Sequence, residues 1–175
     1  FSVPSNLHII GTMNTADRSV EALDTALRRR FSFMEMNPQP TLLSNEEFRC
    51  QGVDLEAMLK AINGRIEKLL DKDYCIGHSY FMTIKNKQEP LEELKLIFQN
   101  KIMPLLQEYF YGDWGKIRLI VGQGFVEMKV SNGVKFLDED SVDGYEEYDE
   151  RPIFNFTCCE GWTLETFKGI YETEK

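Results

Sequence analysis

Three short strings in this 175-residue sequence carry side chains suited to chemistry. The first is the polar turn Thr12-Met13-Asn14-Thr15-Ala16-Asp17-Arg18-Ser19. There Asn14 can orient a water, Asp17 can accept its proton or hold a metal-bound water, and Arg18 can meet a phosphate. A capped strand–helix turn wants Asn, Thr, Asp and Ser for conformational reasons as well, so both readings stand. The second string is Arg28-Arg29-Arg30. Cations at a helix C-terminus complement its dipole. Three in a row before an apolar strand exceed that need, and the guanidinium fork suits phosphate recognition across an interface. The third is Ile76-Gly77-His78-Ser79-Tyr80-Phe81, a Gly-led turn carrying one of only two histidines. Cys75 stands near His78, but two ligands do not make a zinc site, and a Cys–His nucleophile pair lacks any supporting motif. A small buried hydrophobe is the better reading of that cysteine. No metal site is expected.

The elements that must position these strings divide the chain into three parts. In residues 1–37, Leu7-His8-Ile9-Ile10 is a short apolar run ending in Gly11, as in a buried parallel strand. Ser19 can cap a helix from Val20, with Val20, Leu23 and Leu27 at helical spacing and the arginines closing it. Phe31 to Met36 then alternates as a second strand, so the order reads as a βαβ unit with a parallel sheet. Residues 38–122 read as helical. Leu55, Met58, Leu59, Ile62, Ile66, Leu69 and Leu70 form one stripe at 3.6 spacing. Leu94, Ile97, Phe98, Ile102, Leu105, Leu106 and Tyr109 form another, with Pro104 inside it to start or kink a helix. Residues 123–175 read as a mixed α+β extension. Phe125 to Val130 alternates, Asn132-Gly133 signals a hairpin, and Val134 to Leu137 returns. An acidic run, Ile153 to Thr157 as a further strand, and a closing helix within Thr163 to Tyr171 complete it.

Composition narrows the partners. The net charge of −9 is concentrated in residues 138–150, DEDSVDGYEEYDE, which hold eight acids and no base. The rest is near neutral, a poor match for a phosphate backbone, so tight DNA binding by this chain alone is not expected. The acidic run itself reads as a solvated loop. No apolar run approaches the ~18 residues of a membrane span, and no signal peptide is evident. Four cysteines without a Cys-x-x-Cys pair suit a reducing cytoplasm.

Gly11-Thr12-Met13-Asn14-Thr15-Ala16-Asp17-Arg18-Ser19, followed by Leu23-Asp24-x-Ala26-Leu27-Arg28-Arg29-Arg30-Phe31, resembles the signature of the McrB family. Its members are AAA+ motor subunits of modification-dependent (5-methylcytosine) restriction systems that typically use GTP. Ile76 to Phe81 and Pro104-Leu105-Leu106-x-Glu108-Tyr109-Phe110 resemble the helical lid of the same family. The resemblance covers roughly residues 5 to 112; the extension resembles nothing recognised. It implies that Leu7–Ile10 is the fourth core strand of an AAA+ sheet and that Asn14 falls at sensor 1. Asp17 and Arg18 complete the signature loop near the γ-phosphate and the subunit interface. One or more of Arg28, Arg29 and Arg30 is the arginine finger, and His78 and Ser79 lie where the lid makes its sensor-2 contact. A typical AAA+ protein carries Arg at sensor 2, so this turn departs from the pattern.

A second departure is larger. The Gly-x-x-x-x-Gly-Lys-Ser/Thr phosphate loop is missing. Gly112-Asp113-Trp114-Gly115-Lys116-Ile117 lacks both its spacing and its hydroxyl, and Val134 to Glu139 mimics a Walker B strand only after the lid, where that motif does not belong. The chain is therefore expected to be the C-terminal part of a P-loop NTPase, with its Walker motifs before Phe1, and to be inactive alone. The parent is expected to use GTP or ATP with Mg2+ and to form a homo-oligomeric ring, a hexamer by resemblance. It would meet a McrC-like endonuclease subunit and reach DNA through a separate N-terminal domain, without a membrane. The alternative is an AAA-related chain that has lost hydrolysis and serves as an assembly or docking module.

Overall fold

The computed structural model describes residues 4–13, 29–129 and 151–172. The chain divides into two compact units, Phe1–Met36 and Asn37–Lys175.

The described residues of the first unit form neither helix nor strand. Leu7–Ile10, expected as a parallel strand, has no ladder, and the Leu7 amide donates instead to the carbonyl of Pro4 at 3.2 Å. Ile10 is 92% exposed and Phe33, in the expected second strand, is 58% exposed. The reason is one of pairing. A strand is defined by the neighbour that takes its N–H and C=O groups, and these two segments have none among the described residues. The helix expected between them lies outside the described residues except for Arg29 and Arg30, which sit in a turn.

The second unit is largely helical. Its entry, Pro40–Leu43, is a 3-10 turn with the proline at its first position, where no N–H is needed. The 15-residue helix α1, Leu55–Leu69, follows. Its N-cap is Asp54, whose carboxylate accepts the Ala57 amide at 2.9 Å. The expected stripe is its buried face from Leu55 to Ile66, whereas Leu69 at the helix end is exposed. Helix α2, Pro90–Ile97, passes through a π turn, Phe98–Ile102, into α3, Met103–Tyr109. The Met103 amide donates to the carbonyl of Phe98, five residues back. Widening the helix just before Pro104 relieves the clash between the ring and the preceding turn, and the proline stands in the first turn of α3, as the expectation of a helix start had it. Helix α4, Trp114–Val121, is capped by the Asp113 carboxylate on the Lys116 amide. It stops at Gly122, whose φ of +91° suits glycine. From α1, Arg65 donates to the carbonyl of Ile120 at 2.6 Å, meeting the last turn of α4.

Strand β1, Val126–Lys129, pairs antiparallel with β2, Ile153–Phe156, with Val126 opposite Phe156 and Lys129 opposite Ile153. The return strand expected at Val134 to Leu137 and the acidic run both lie outside the described residues. A short helix α5, Leu164–Lys168, closes the unit behind a Thr163–Thr166 capping box.

The extension shares the core of the helices. Phe125 stacks on Phe98 with ring centres 5.1 Å apart, and Phe167 meets both edge-on at 5.1 and 5.4 Å. Trp162 lies 4.9 Å from Phe125, and its indole Nε1 donates to the Thr157 hydroxyl at 2.8 Å. Burying each such ring is worth roughly 1.5–3 kcal/mol. Gly124 is required beside them, because a Cβ there would fall 2.7 Å from the Thr166 methyl. At the far end the Tyr171 hydroxyl accepts the Asp54 amide at 2.9 Å, tying the chain's last described turn to the cap of α1. No helix among the described residues is long and apolar enough to cross a membrane.

Candidate functional site

Of the residues singled out by the sequence, Asn14, Asp17, Arg18 and Arg28 lie outside the described residues. Arg29 and Arg30 occupy an exposed turn of the first unit. His78 and Ser79 belong to the second unit, and there the local structure is built in detail.

That structure starts with an amide in an apolar face. Asn63 lies one residue after Ile62 on the buried side of α1 and is only 9% exposed. Its Nδ2 donates to the carbonyl of Ile76 at 2.9 Å, and its Oδ1 accepts the Ile76 amide at 2.7 Å. One side chain thus satisfies both backbone groups of a residue that is itself 1% exposed. The next residue, Gly77, precedes a 3-10 segment, His78–Ile84, whose Phe81 and Ile84 anchor it in the core. A Cβ at Gly77 would come within 3.3 Å of the Ser79 hydroxyl oxygen. His78 is half-buried, and its Nδ1 accepts the backbone N–H of Gln39 at 3.1 Å. Ser79 is exposed. The turn therefore presents an oriented imidazole and a hydroxyl from a rigid base, an arrangement able to donate hydrogen bonds to an anionic ligand.

Cys75, two residues before the glycine, is not an activated thiol. Burial pushes its pKa up, and Glu67, Asp71 and Asp73 push it further the same way. Its sulfur lies 3.9 Å from the carbonyl of Asn63. Tyr109, packed edge-on against Tyr74 at 5.0 Å, is raised to about 12, chiefly by burial and then by Tyr80. Cys50 is raised to about 11 by burial. None of these groups is poised to ionise near neutral pH. Among the described residues no group of three or more His, Cys, Asp or Glu could hold a metal ion.

The Gly112–Ile117 string is a helix start, not a phosphate cradle. Asp113 places its own carboxylate on the Lys116 amide, and Lys116 Nζ pairs with the same side chain at 3.2 Å. An anion is already built into the position a phosphate would take.

Sequence reasoning missed Asn63 and Gln39. Asn63 left a readable signal, a polar amide inside an otherwise apolar helical face. Gln39 left none, because its contribution is a backbone N–H.

Comparison with known proteins bears on the same region. Residues 54–118 match the family described as McrB, alpha-helical lid domain. Over 125 residues the chain is 40% identical to the Type IV methyl-directed restriction enzyme EcoKMcrB subunit of Escherichia coli (strain K12). That stretch covers 65% of this chain and 27% of the relative, so the chain spans about a quarter of the curated protein it matches. With the match running from the cap of α1 into α4, across the turn that carries His78 and Ser79, this region is a McrB-type helical lid, and the two matches together support an McrB-family fragment.

Proposed function

We propose that this chain is the C-terminal part of a McrB-like AAA+ motor subunit that hydrolyses GTP or ATP to drive DNA restriction. The observation that carries the reading is the lid domain, whose Ile76–Phe81 turn is fixed to α1 through both amide atoms of Asn63. In this reading Asn14 is the sensor-1 residue that orients the attacking water, with Asp17 and Arg18 beside the γ-phosphate. One of Arg28, Arg29 and Arg30 reaches the nucleotide of a neighbouring subunit in a homo-oligomeric ring, preferably Arg30, then Arg29. His78 and Ser79 take the sensor-2 position of the lid. The parent's partners are a McrC-like endonuclease subunit and DNA bound through another domain.

The residues described here do not fit a triphosphate and its Mg2+ by themselves, since the one string resembling a phosphate loop is a self-capped helix start. In this reading nucleotide binding belongs to the longer parent.

The arginines test the reading. In the full-length protein, Arg→Ala at the finger should slow turnover by roughly 10³-fold or more while leaving nucleotide affinity largely intact. Mixing that variant with a Walker-dead subunit carrying intact arginines should restore activity, because each supplies what the other lacks. No recovery with any of the three, despite mixed assembly, rules the trans finger out. Absence of turnover in the unaltered parent favours the inactive assembly module instead.

A further inference from the structure

Asn63 stands out among the described residues as the buried polar side chain of an otherwise apolar core. Burying an amide costs free energy unless every polar atom is matched, and an aliphatic side chain would pack at this position without that demand. Here the matching is directional. Both bonds go to one residue, Ile76, so the amide acts as a two-pronged backbone surrogate and sets the height and orientation of the chain leaving α1. Two residues later that chain presents His78, and the ring is engaged in its turn: Nδ1 accepts the N–H of Gln39, 39 residues away in sequence. Gln39 is the N-cap of the 3-10 turn Pro40–Leu43 and lies within the first three residues of the second unit. Leu43 is buried in the same core as Phe81 and Ile84.

We infer that Asn63 is a positioning residue for His78, and that the Asn63–Ile76 and Gln39–His78 bonds act in series as one joint. Through it the point where the chain enters the second unit and the orientation of the His78 ring are fixed together. An Nδ1 that accepts a backbone N–H leaves the neutral ring's proton on Nε2, so the joint holds His78 as an Nε2–H donor. The inference rests on the proposed function only in assigning that donor to a nucleotide; the joint itself stands on the geometry.

The test is nuclear magnetic resonance on this chain, reading amide hydrogen exchange at Ile76 and Gln39 together with the 15N shifts of the His78 ring. In Asn63→Leu, exchange at both amides should rise about tenfold or more, and the ring should lose its single tautomer. In His78→Phe, Gln39 should lose protection while Ile76 keeps it. Ile117→Ala, a core variant remote in sequence from the turn, should leave the His78 tautomer unchanged, which separates positioning from general loss of stability. If Asn63→Leu does not fold, Asn63→Asp serves at neutral pH: it keeps an acceptor for the Ile76 amide, loses the donor to the Ile76 carbonyl, and should give the same changes at smaller size. An Asn63 variant that frees Ile76 but leaves Gln39 exchange and the His78 tautomer as they were overturns the inference. Nucleotide turnover in the parent is a separate readout. A parent without turnover sinks the functional reading, while the exchange and tautomer data still decide whether the joint exists.

Discussion

Residues 4–36 and 37–172 are both rich in apolar side chains, yet all the fully buried ones among the described residues belong to the second set. In the first unit Leu7, Ile9, Ile10, Phe31, Phe33, Met34 and Met36 all remain exposed. In the second, α1 through α4 close over one continuous core that also takes in Phe125, Trp162, Phe167 and Ile170. The difference follows from how each type of element satisfies its backbone. A helix completes its own hydrogen bonds and needs only one face covered. A parallel strand needs neighbours along its edges before its side chains have anywhere to go. Apolar alternation is thus a capacity to form a sheet, whereas an amphipathic helical stripe is nearly sufficient for a bundle.

The contrast can be tested from both sides with denaturant midpoints. The largest effect should come from Phe98→Ala, which removes a ring touching Phe81, Phe125 and Phe167. A loss of about 3–5 kcal/mol is expected, with helical circular dichroism and tryptophan emission changing in one transition. Two separate transitions would mean that the extension does not share the core of the helices. A smaller effect is expected at the cap of α4, where Asp113→Ala should cost about 1 kcal/mol. The Lys116 amide, followed by the Lys116 ammonium, holds the Asp113 carboxyl below its ordinary range despite slight burial. A pKa lowered on folding stabilises above the unfolded value, and that contribution disappears as pH falls through the folded one. The gap between wild type and variant should therefore be full at neutral pH and close below the carboxylate range; a gap that persists in acid contradicts the cap. The smallest effect should be Phe33→Ser, within about 0.5 kcal/mol because the ring is already exposed. A cost above 1 kcal/mol would show that the first unit has a core of its own in this chain.

Legibility in the sequence followed the same divide. The stripe on α1 could be read because helical periodicity is local, and so could the closing helix behind Thr163. Pro104 pointed to a helix start or a kink and stands in the first turn of α3, but the widened turn before it is a backbone adjustment that no residue type announces. Phe125 to Val130 was legible as a strand, whereas its pairing with Ile153–Phe156 depends on packing against Trp114 and Trp162, which local patterning does not encode. In the candidate site, His78 and Ser79 were visible as polar residues in a Gly-led turn. Their support was only half visible, since it comes from Asn63 on α1, 13 residues upstream of Ile76, and from a backbone amide at Gln39.

The π turn has one more consequence, best expressed as an angle. The buried residues Leu94, Phe98, Ile102, Leu106 and Phe110 follow one another at intervals of four. On a regular helix each such step overshoots a full turn by about 40°, so the four steps together would carry the row roughly 160° around the axis. A row rotated that far would end facing solvent. Accommodating one extra residue in the turn Phe98–Ile102 takes back about 100° of phase. The remaining drift, about 60°, stays within the ≳100° width of an apolar stripe. The irregular turn therefore keeps a run of four-residue spacings on one side of the helix, and lets Leu94 and Phe110 face the same interior.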